Sequence, residues 1–310
     1  MGMVRSPGEH VLSLRVGGRR REALVVVPEA CSANPAQPRP LVLVFHGAGS
    51  TGRLAAIATG FTEKAQREGF FAVYPEGVRP NPDRRASFLR NPPFFNVGSN
   101  IGYAERAGID DRGFVRALVA ELRRRLPVDP RRIYATGFSN GASMAFLAAM
   151  ELPEQIAAIG PVAGHLWRFS PAPTRPVPMI YIIGTADPLN PMEGGVVRSP
   201  WGRDEPRPPV ARSVRTWVRW VGADPEPRLV SETAGVRRVR FEGGPNGADV
   251  EFITIAGAGH VWPGGPDILA ERIAGKSTDK LDATETIWDF FSRHPAPAAR
   301  DADPAEPRPT

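Results

Sequence analysis

The sequence predicts an α/β fold: a mostly parallel central sheet with helices on both faces and an antiparallel N-terminal hairpin at one edge. Three observations carry this expectation. Short, continuously apolar runs recur along the chain, as strands covered on both faces require. Segments with apolar residues at helical spacing separate them, the pattern of crossovers in a parallel sheet. The first two extended runs, by contrast, are joined only by a glycine-containing turn.

In chain order, residues 11–16 and 22–27 flank Gly17-Gly18 and read as the hairpin. After a Pro-rich stretch ending at Pro40, residues 41–45 are apolar without interruption, and similar runs follow at 70–74, 133–135, 156–162, 179–183 and 252–255. Helical patterns fall in 53–67, 141–151, 209–220 and 282–292. Another follows Asp110-Asp111, where Val115, Leu118, Val119, Leu122 and Leu126 share one face. Residues 79–103 and 190–209 are rich in Pro and Gly and read as irregular. Loops of that length usually cover or line a site. One catalytic domain over residues 1–294 is expected. The Pro, Ala and Asp tail at 295–310 carries too little apolar surface to fold.

Composition narrows the function classes. Cys31 is the only cysteine, so neither an intramolecular disulfide nor a cysteine-based zinc site can form. The net charge of +6 comes from arginines interleaved with acids, as in Arg203-Asp204-Glu205. No basic stripe with stacking aromatics stands out, so nucleic acid is not expected as a partner. No run approaches the ~18 apolar residues of a membrane span, so no membrane partner is expected either. Residues 1–8 lack the apolar core of a signal peptide. The chain as written is therefore expected in the cytoplasm, and secreted or periplasmic if its N-terminus is trimmed.

The strongest chemical signal is Gly137-Phe138-Ser139-Asn140-Gly141, a G-x-S-x-G between the strand at 133–135 and a small-residue helix start. In such an elbow the serine sits on a strained strand-to-helix turn, and the next N–H lies free at a helix N-terminus, where negative charge is favoured. A serine hydroxyl then needs a base. Of the five histidines, His10 and His294 lie near the ends, and His46 precedes the serine in the chain. The order serine, acid, histidine leaves His165 and His260, and only His260 leaves room for a strand and its acid in between. Asp187 follows the run at 179–183 and is expected to orient the histidine, with Glu193 as reserve; the competing reading of Asp187 is a turn residue ahead of Pro188. The oxyanion would be held by the N–H groups of Asn140 and Ala48, with Gly49 next in line. His46, Gly47 and Gly49 are expected substrate contacts. Trp262 reads either as a wall for the acyl group or as core. The same loop, Gly47 to Gly52, also matches G-x-G-x-x-G, with Glu76 loosely placed for a ribose.

Several motifs, in order, resemble the polyhydroxybutyrate depolymerase and feruloyl/acetylxylan esterase family of α/β-hydrolases. They are Leu43-Val-Phe-His-Gly-Ala-Gly49, Tyr74-Pro-Glu-Gly77, Gly108-Ile-Asp-Asp111, the serine elbow, Gly184-Thr-Ala-Asp187 and Gly259-His-Val-Trp-Pro-Gly264; Ile287-Trp-Asp-Phe-Phe291 is similar too. The likeness spans roughly residues 10–294. It implies an α/β-hydrolase fold and serine carboxylesterase activity without metal or organic cofactor. It carries the catalytic roles onto Ser139, Asp187 and His260, and makes Asp111 a structural anchor. Members acting on insoluble polymer are usually secreted with extra binding modules, which this chain does not show. Soluble esters of short-chain, hydroxyalkanoate-oligomer, acetyl or feruloyl type are therefore the expected substrates. A serine peptidase or thioesterase on the same fold is the alternative, or a non-catalytic carbohydrate- or lipid-binding relative.

Overall fold

The computed structural model of the chain describes residues 6–297, so the expected tail lies, from residue 298 on, outside the described residues. β1 (Gly8–Val16) and β2 (Arg19–Val27) pair antiparallel around Gly17 and Gly18, whose φ values of 56° and 75° supply the two left-handed positions a two-residue turn needs. The apolar runs then form β3 (Arg39–Phe45), β4 (Phe71–Pro75), β5 (Val128–Phe138), β6 (Ile156–Val162) and β7 (Met179–Gly184). β3, β4, β6 and β7 are buried at every position, as strands sandwiched between helix layers must be. β8 (Gly195–Arg198) and β9 (Asp204–Arg207) make a separate hairpin, followed by β10 (Arg228–Thr233), β11 (Val236–Phe241) and β12 (Val250–Ile255).

The large sheet has ten strands in the order β1-β2-β4-β3-β5-β6-β7-β12-β11-β10. From β4 to β12 the neighbours are parallel. β2 joins β4 antiparallel at one side, and β11 and β10 continue antiparallel at the other. Since β4 and β5 lie on opposite sides of β3, the chain reverses its direction of winding there. A crevice opens above the carboxyl ends of β3 and β5, where open α/β sheets bind their ligands.

Three elements depart from the sequence reading. The second antiparallel edge, β10 and β11, has no apolar run to announce it: β10 is exposed throughout and β11 buries only Val239 and Phe241. The stretch at 190–209, expected to be irregular, contains the β8–β9 hairpin. The helix expected over 53–67 is two helices, Gly52–Thr59 and Phe61–Glu68, parted by Gly60 at φ 67°.

One buried ion pair fixes the near half of the molecule. Arg21 of β2 donates to Asp111 at 2.5 Å and to the Glu76 carbonyl at 3.1 Å, and its guanidinium lies 3.9 Å from the Phe114 ring centre. The other Asp111 oxygen accepts the Asn96 N–H at 2.7 Å. Burial pushes the Asp111 carboxyl up, and the Arg21 charge pulls against it. Asp111 thereby ties β2 and the 96–97 loop to the start of the helix Asp111–Arg125. No helix among the described residues is long and apolar enough to cross a membrane.

Candidate active site

Four loops at the carboxyl ends of parallel strands converge on the crevice. After β5, Ser139 turns directly into the helix Asn140–Glu151 with φ 56° and ψ −115°, a left-handed conformation that costs a non-glycine residue about 1–3 kcal/mol. Its own N–H is anchored to the Val162 carbonyl at 2.9 Å. The flanking glycines are forced by close approach. A Cβ on Gly137 would sit 2.5 Å from the Gly141 carbonyl oxygen, and one on Gly141 only 2.1 Å from that of Phe45. No other residue lets β3, β5 and the helix start meet there.

After β3, the Gly49 N–H is taken by the Pro93 carbonyl at 2.8 Å. The N–H groups of Ala48 and Asn140 have no protein acceptor among the described residues, and both residues line the cavity that holds Ser139. The Asn140 side chain is clamped on the Phe95 backbone, with Oδ1 accepting at 2.8 Å and Nδ2 donating at 3.2 Å. That clamp fixes loop 93–97 beside the helix N-terminus.

After β7 and β12 come Asp187 and His260, whose side chains are fully buried. Asp187 Oδ2 lies 2.7 Å from His260 Nδ1. Asp187 Oδ1 accepts the N–H groups of Leu189 at 2.8 Å and Asn190 at 2.7 Å. One Asp187 oxygen thus closes the turn ahead of Asn190, and the other meets the His260 ring. The His260 backbone is held by the Ala274 carbonyl at 2.5 Å, and its ring packs 4.6 Å, centre to centre, from Phe138. Glu193, the reserve acid, is exposed and stands outside the cavity.

Ser139, Asn140, Ala48, Gly47, Gly49 and His260 share a cavity of about 470 Å³. His46 and Trp262 do not line it. His46 is 1% exposed; its Nε2 accepts the Gly77 N–H at 2.9 Å, which leaves Nδ1–H to donate to the Gly47 carbonyl at 2.7 Å. Burial holds its pKa below the usual histidine range, so the ring is a neutral brace for the loop. Trp262 donates its indole N–H to Thr284 at 3.0 Å and packs edge-on to Phe61 in the core. Both side chains are hydrogen-bonded inside the protein, and both line a smaller hollow that Gly47 and His260 also border.

The dinucleotide motif folds differently from its namesake. Glu76 Oε2 accepts the Gly52 N–H at 2.7 Å, and a Cβ on Gly52 would meet the Tyr74 carbonyl oxygen at 2.7 Å. The acid expected on a ribose caps the very helix end a pyrophosphate would need.

The remaining wall escaped sequence reasoning. The β8–β9 hairpin carries Trp201 across the cavity, where its indole N–H donates to the Phe88 carbonyl at 2.7 Å and its ring packs on Phe88 and Phe94. β9 adds Glu205 and Arg207, joined at 2.7 Å. His165, 1% exposed, has neither ring nitrogen hydrogen-bonded, and burial followed by the nearby Arg207 charge pushes its pKa down to about 4. The one available signal was the length of the 79–103 and 190–209 stretches, which says that a wall exists but not which residues form it.

Residues 23–180 match the esterase PHB depolymerase family. A protein named as an esterase, NocK of Nocardia uniformis subsp. tsuyamanensis, is 32% identical over 293 residues, covering 89% of this chain and 80% of its own length. Feruloyl esterase B of Piromyces equi is 31% identical over 156 residues, 49% of this chain; the match spans only 29% of that longer relative. Among solved structures, acetyl xylan esterase from Aspergillus awamori superposes with a TM-score of 0.56 over 81% of this chain and 94% of its own, at 16% identity, a likeness of fold. With the sheet order and the family match together, this chain belongs to the esterase PHB depolymerase family and is a carboxylic ester hydrolase of the α/β-hydrolase fold.

Proposed function

We propose that the chain, as one catalytic unit over residues 1–294, hydrolyses soluble carboxylic esters with Ser139 as nucleophile, His260 as general base and Asp187 as the residue that orients the imidazole. The observation that carries the reading is the convergence of Ser139 with two unclaimed N–H groups, those of Ala48 and Asn140, in one cavity with an imidazole already bound to a buried carboxylate. With Asp187 accepting from Nδ1–H, His260 Nε2 is left unprotonated and able to take a proton. As Ser139 Oγ bonds to the ester carbonyl carbon, its proton passes to Nε2 and the carbonyl electrons move to oxygen, held by the two N–H groups. Collapse breaks the bond to the alcohol, which leaves with the proton from Nε2. Water then repeats the sequence on the acyl-enzyme, releasing the acid and restoring Ser139.

A cavity of about 470 Å³ with an aromatic wall suits short-chain, acetyl, feruloyl or hydroxyalkanoate-oligomer esters, in keeping with the feruloyl and acetyl xylan esterases among its relatives. The deciding experiment is hydrolysis of p-nitrophenyl acetate by the wild type and by Ser139→Ala, with fluorophosphonate labelling of both and folding checked by circular dichroism. Turnover and labelling in the wild type alone are expected. Equal rates in the two proteins would remove Ser139 from the mechanism.

A further inference from the structure

The β8–β9 hairpin places a carboxylate where an ester cavity has no evident need of one. Glu205 lines the cavity that holds Ser139, and it also lines a second hollow of about 450 Å³ on the far side of Trp201. Its side chain is only 9% exposed. Oε2 accepts from Arg207 at 2.7 Å, whereas Oε1 takes no donor from any described residue and is not among the occluded polar atoms. One oxygen is satisfied by the protein, and the other is open to whatever fills the cavities.

Burial of a carboxylate beside Phe94 and Trp201 is costly unless its oxygens are hydrogen-bonded. Arg207 cancels the charge of Glu205. Its Nε is fixed in turn by the Leu189 carbonyl at 3.0 Å and Asn190 Oδ1 at 3.1 Å. His165, behind Arg207, adds no charge near neutral pH. Asn190 lies beside that ring but spends Nδ2 on the Ala163 carbonyl at 2.7 Å, leaving both ring nitrogens unbonded. On the Ser139 side the wall is therefore polar without net charge, while the second hollow adds Arg106 and Arg203. It has nothing to attract a cation, and its missing partner is a neutral donor.

Resting on the esterase reading of this cavity, we infer that Glu205 is a specificity-determining residue that accepts a hydrogen bond from a hydroxyl group of the substrate, so that the preferred esters carry an O–H in their acyl or alcohol part. The aromatic face formed by Phe88, Phe94 and Trp201 covers the apolar remainder of such a molecule. A hydrogen bond to a carboxylate is strong enough to change kcat/KM by about tenfold or more, because the same oxygen would be stranded beside an ester lacking the hydroxyl.

The test uses two matched pairs of esters. p-Nitrophenyl 3-hydroxybutyrate against p-nitrophenyl butyrate reads the acyl part, and glyceryl monobutyrate against propyl butyrate reads the alcohol part. The wild type is expected to favour the hydroxylated member of one pair by about tenfold in kcat/KM. Glu205→Met should collapse that ratio toward one, because methionine fills the same space and offers the hydroxyl no oxygen to donate to. Because each ratio compares two esters on one protein, a general loss of active enzyme does not move it. Wild-type hydrolysis of all four esters with both ratios near one overturns the inference without any variant, and so does a ratio that survives in Glu205→Met. No hydrolysis of any ester by the wild type overturns the esterase reading itself, and the inference with it.

Discussion

Asp187→Asn tests the proposed mechanism at the point where the geometry allows only one answer. Asp187 Oδ1 accepts two backbone N–H groups, at 2.8 and 2.7 Å, while Oδ2 faces His260 Nδ1 at 2.7 Å. An asparagine at this position must keep its single oxygen on the Leu189 and Asn190 N–H groups, since the amide NH2 cannot accept from them. The NH2 then points at Nδ1 and requires that nitrogen to be an acceptor. The ring proton moves to Nε2, the atom proposed to take the proton from Ser139. No side chain changes size and no turn is opened, so the fold should survive while the base is lost. Tautomer reversal of this kind costs ~10⁴ in kcat, about 5.5 kcal/mol of transition-state stabilisation. The assay is steady-state hydrolysis of p-nitrophenyl butyrate, with near- and far-ultraviolet circular dichroism and a melting curve for each protein. A folded Asp187→Asn within tenfold of the wild-type kcat would refute the assignment of both Asp187 and His260.

Other consequences follow from the packing. Gly141→Ala should lower stability by more than about 3 kcal/mol in urea denaturation, because its Cβ meets the Phe45 and His46 carbonyl oxygens, at 2.1 and 2.6 Å, and backbone cannot yield as a side chain can. Arg21→Met should cost about 3–5 kcal/mol by stranding the buried Asp111 carboxylate, and adding Asp111→Leu should recover most of it; the urea midpoints of both variants check this. His165 gives a pH signature. Its folded pKa of about 4 lies below the ordinary 6.5, so below pH 6.5 the unfolded chain takes up a proton that the folded one refuses. The contribution is complete above pH 6.5 and is lost as pH falls toward 4, by about 3 kcal/mol. In His165→Phe, unfolding free energy measured from pH 7 to pH 4 should fall less steeply than in the wild type.

The parallel half of the sheet was legible because burial on two faces leaves its mark in each strand alone. β3 from Leu41 on, β6 and β7 are continuous runs without a charged or polar side chain apart from the Tyr181 hydroxyl, and their order along the chain already implied which loops share an end of the sheet. The approach of Asp187 to His260 could be anticipated on that ground, although 73 residues separate them. The far antiparallel edge was not legible, since β10 buries nothing and no apolar pattern sets it apart from a loop. Side-chain duties inside the site were hidden for another reason. Whether His46 and Trp262 face a substrate or the protein depends on partners such as Gly77 and Thr284, and no local pattern around either residue encodes them. The wall of Trp201, Glu205 and Arg207 lay within Pro- and Gly-rich sequence, where turn chemistry masks a hairpin of two four-residue strands.

The double use of Arg207 sets how this enzyme can change. Its guanidinium holds Glu205 with one nitrogen, and with another it grips the Leu189–Asn190 segment whose N–H groups seat Asp187. On the proposed mechanism, selectivity and turnover are thereby geared to one side chain. A substitution in the 195–207 hairpin that reshapes the pocket by shifting Arg207 will register in kcat as well as in KM. Recruitment to a new ester is therefore easiest through the 79–103 side of the cavity, where Phe88 and Phe94 can be exchanged without loosening the acid.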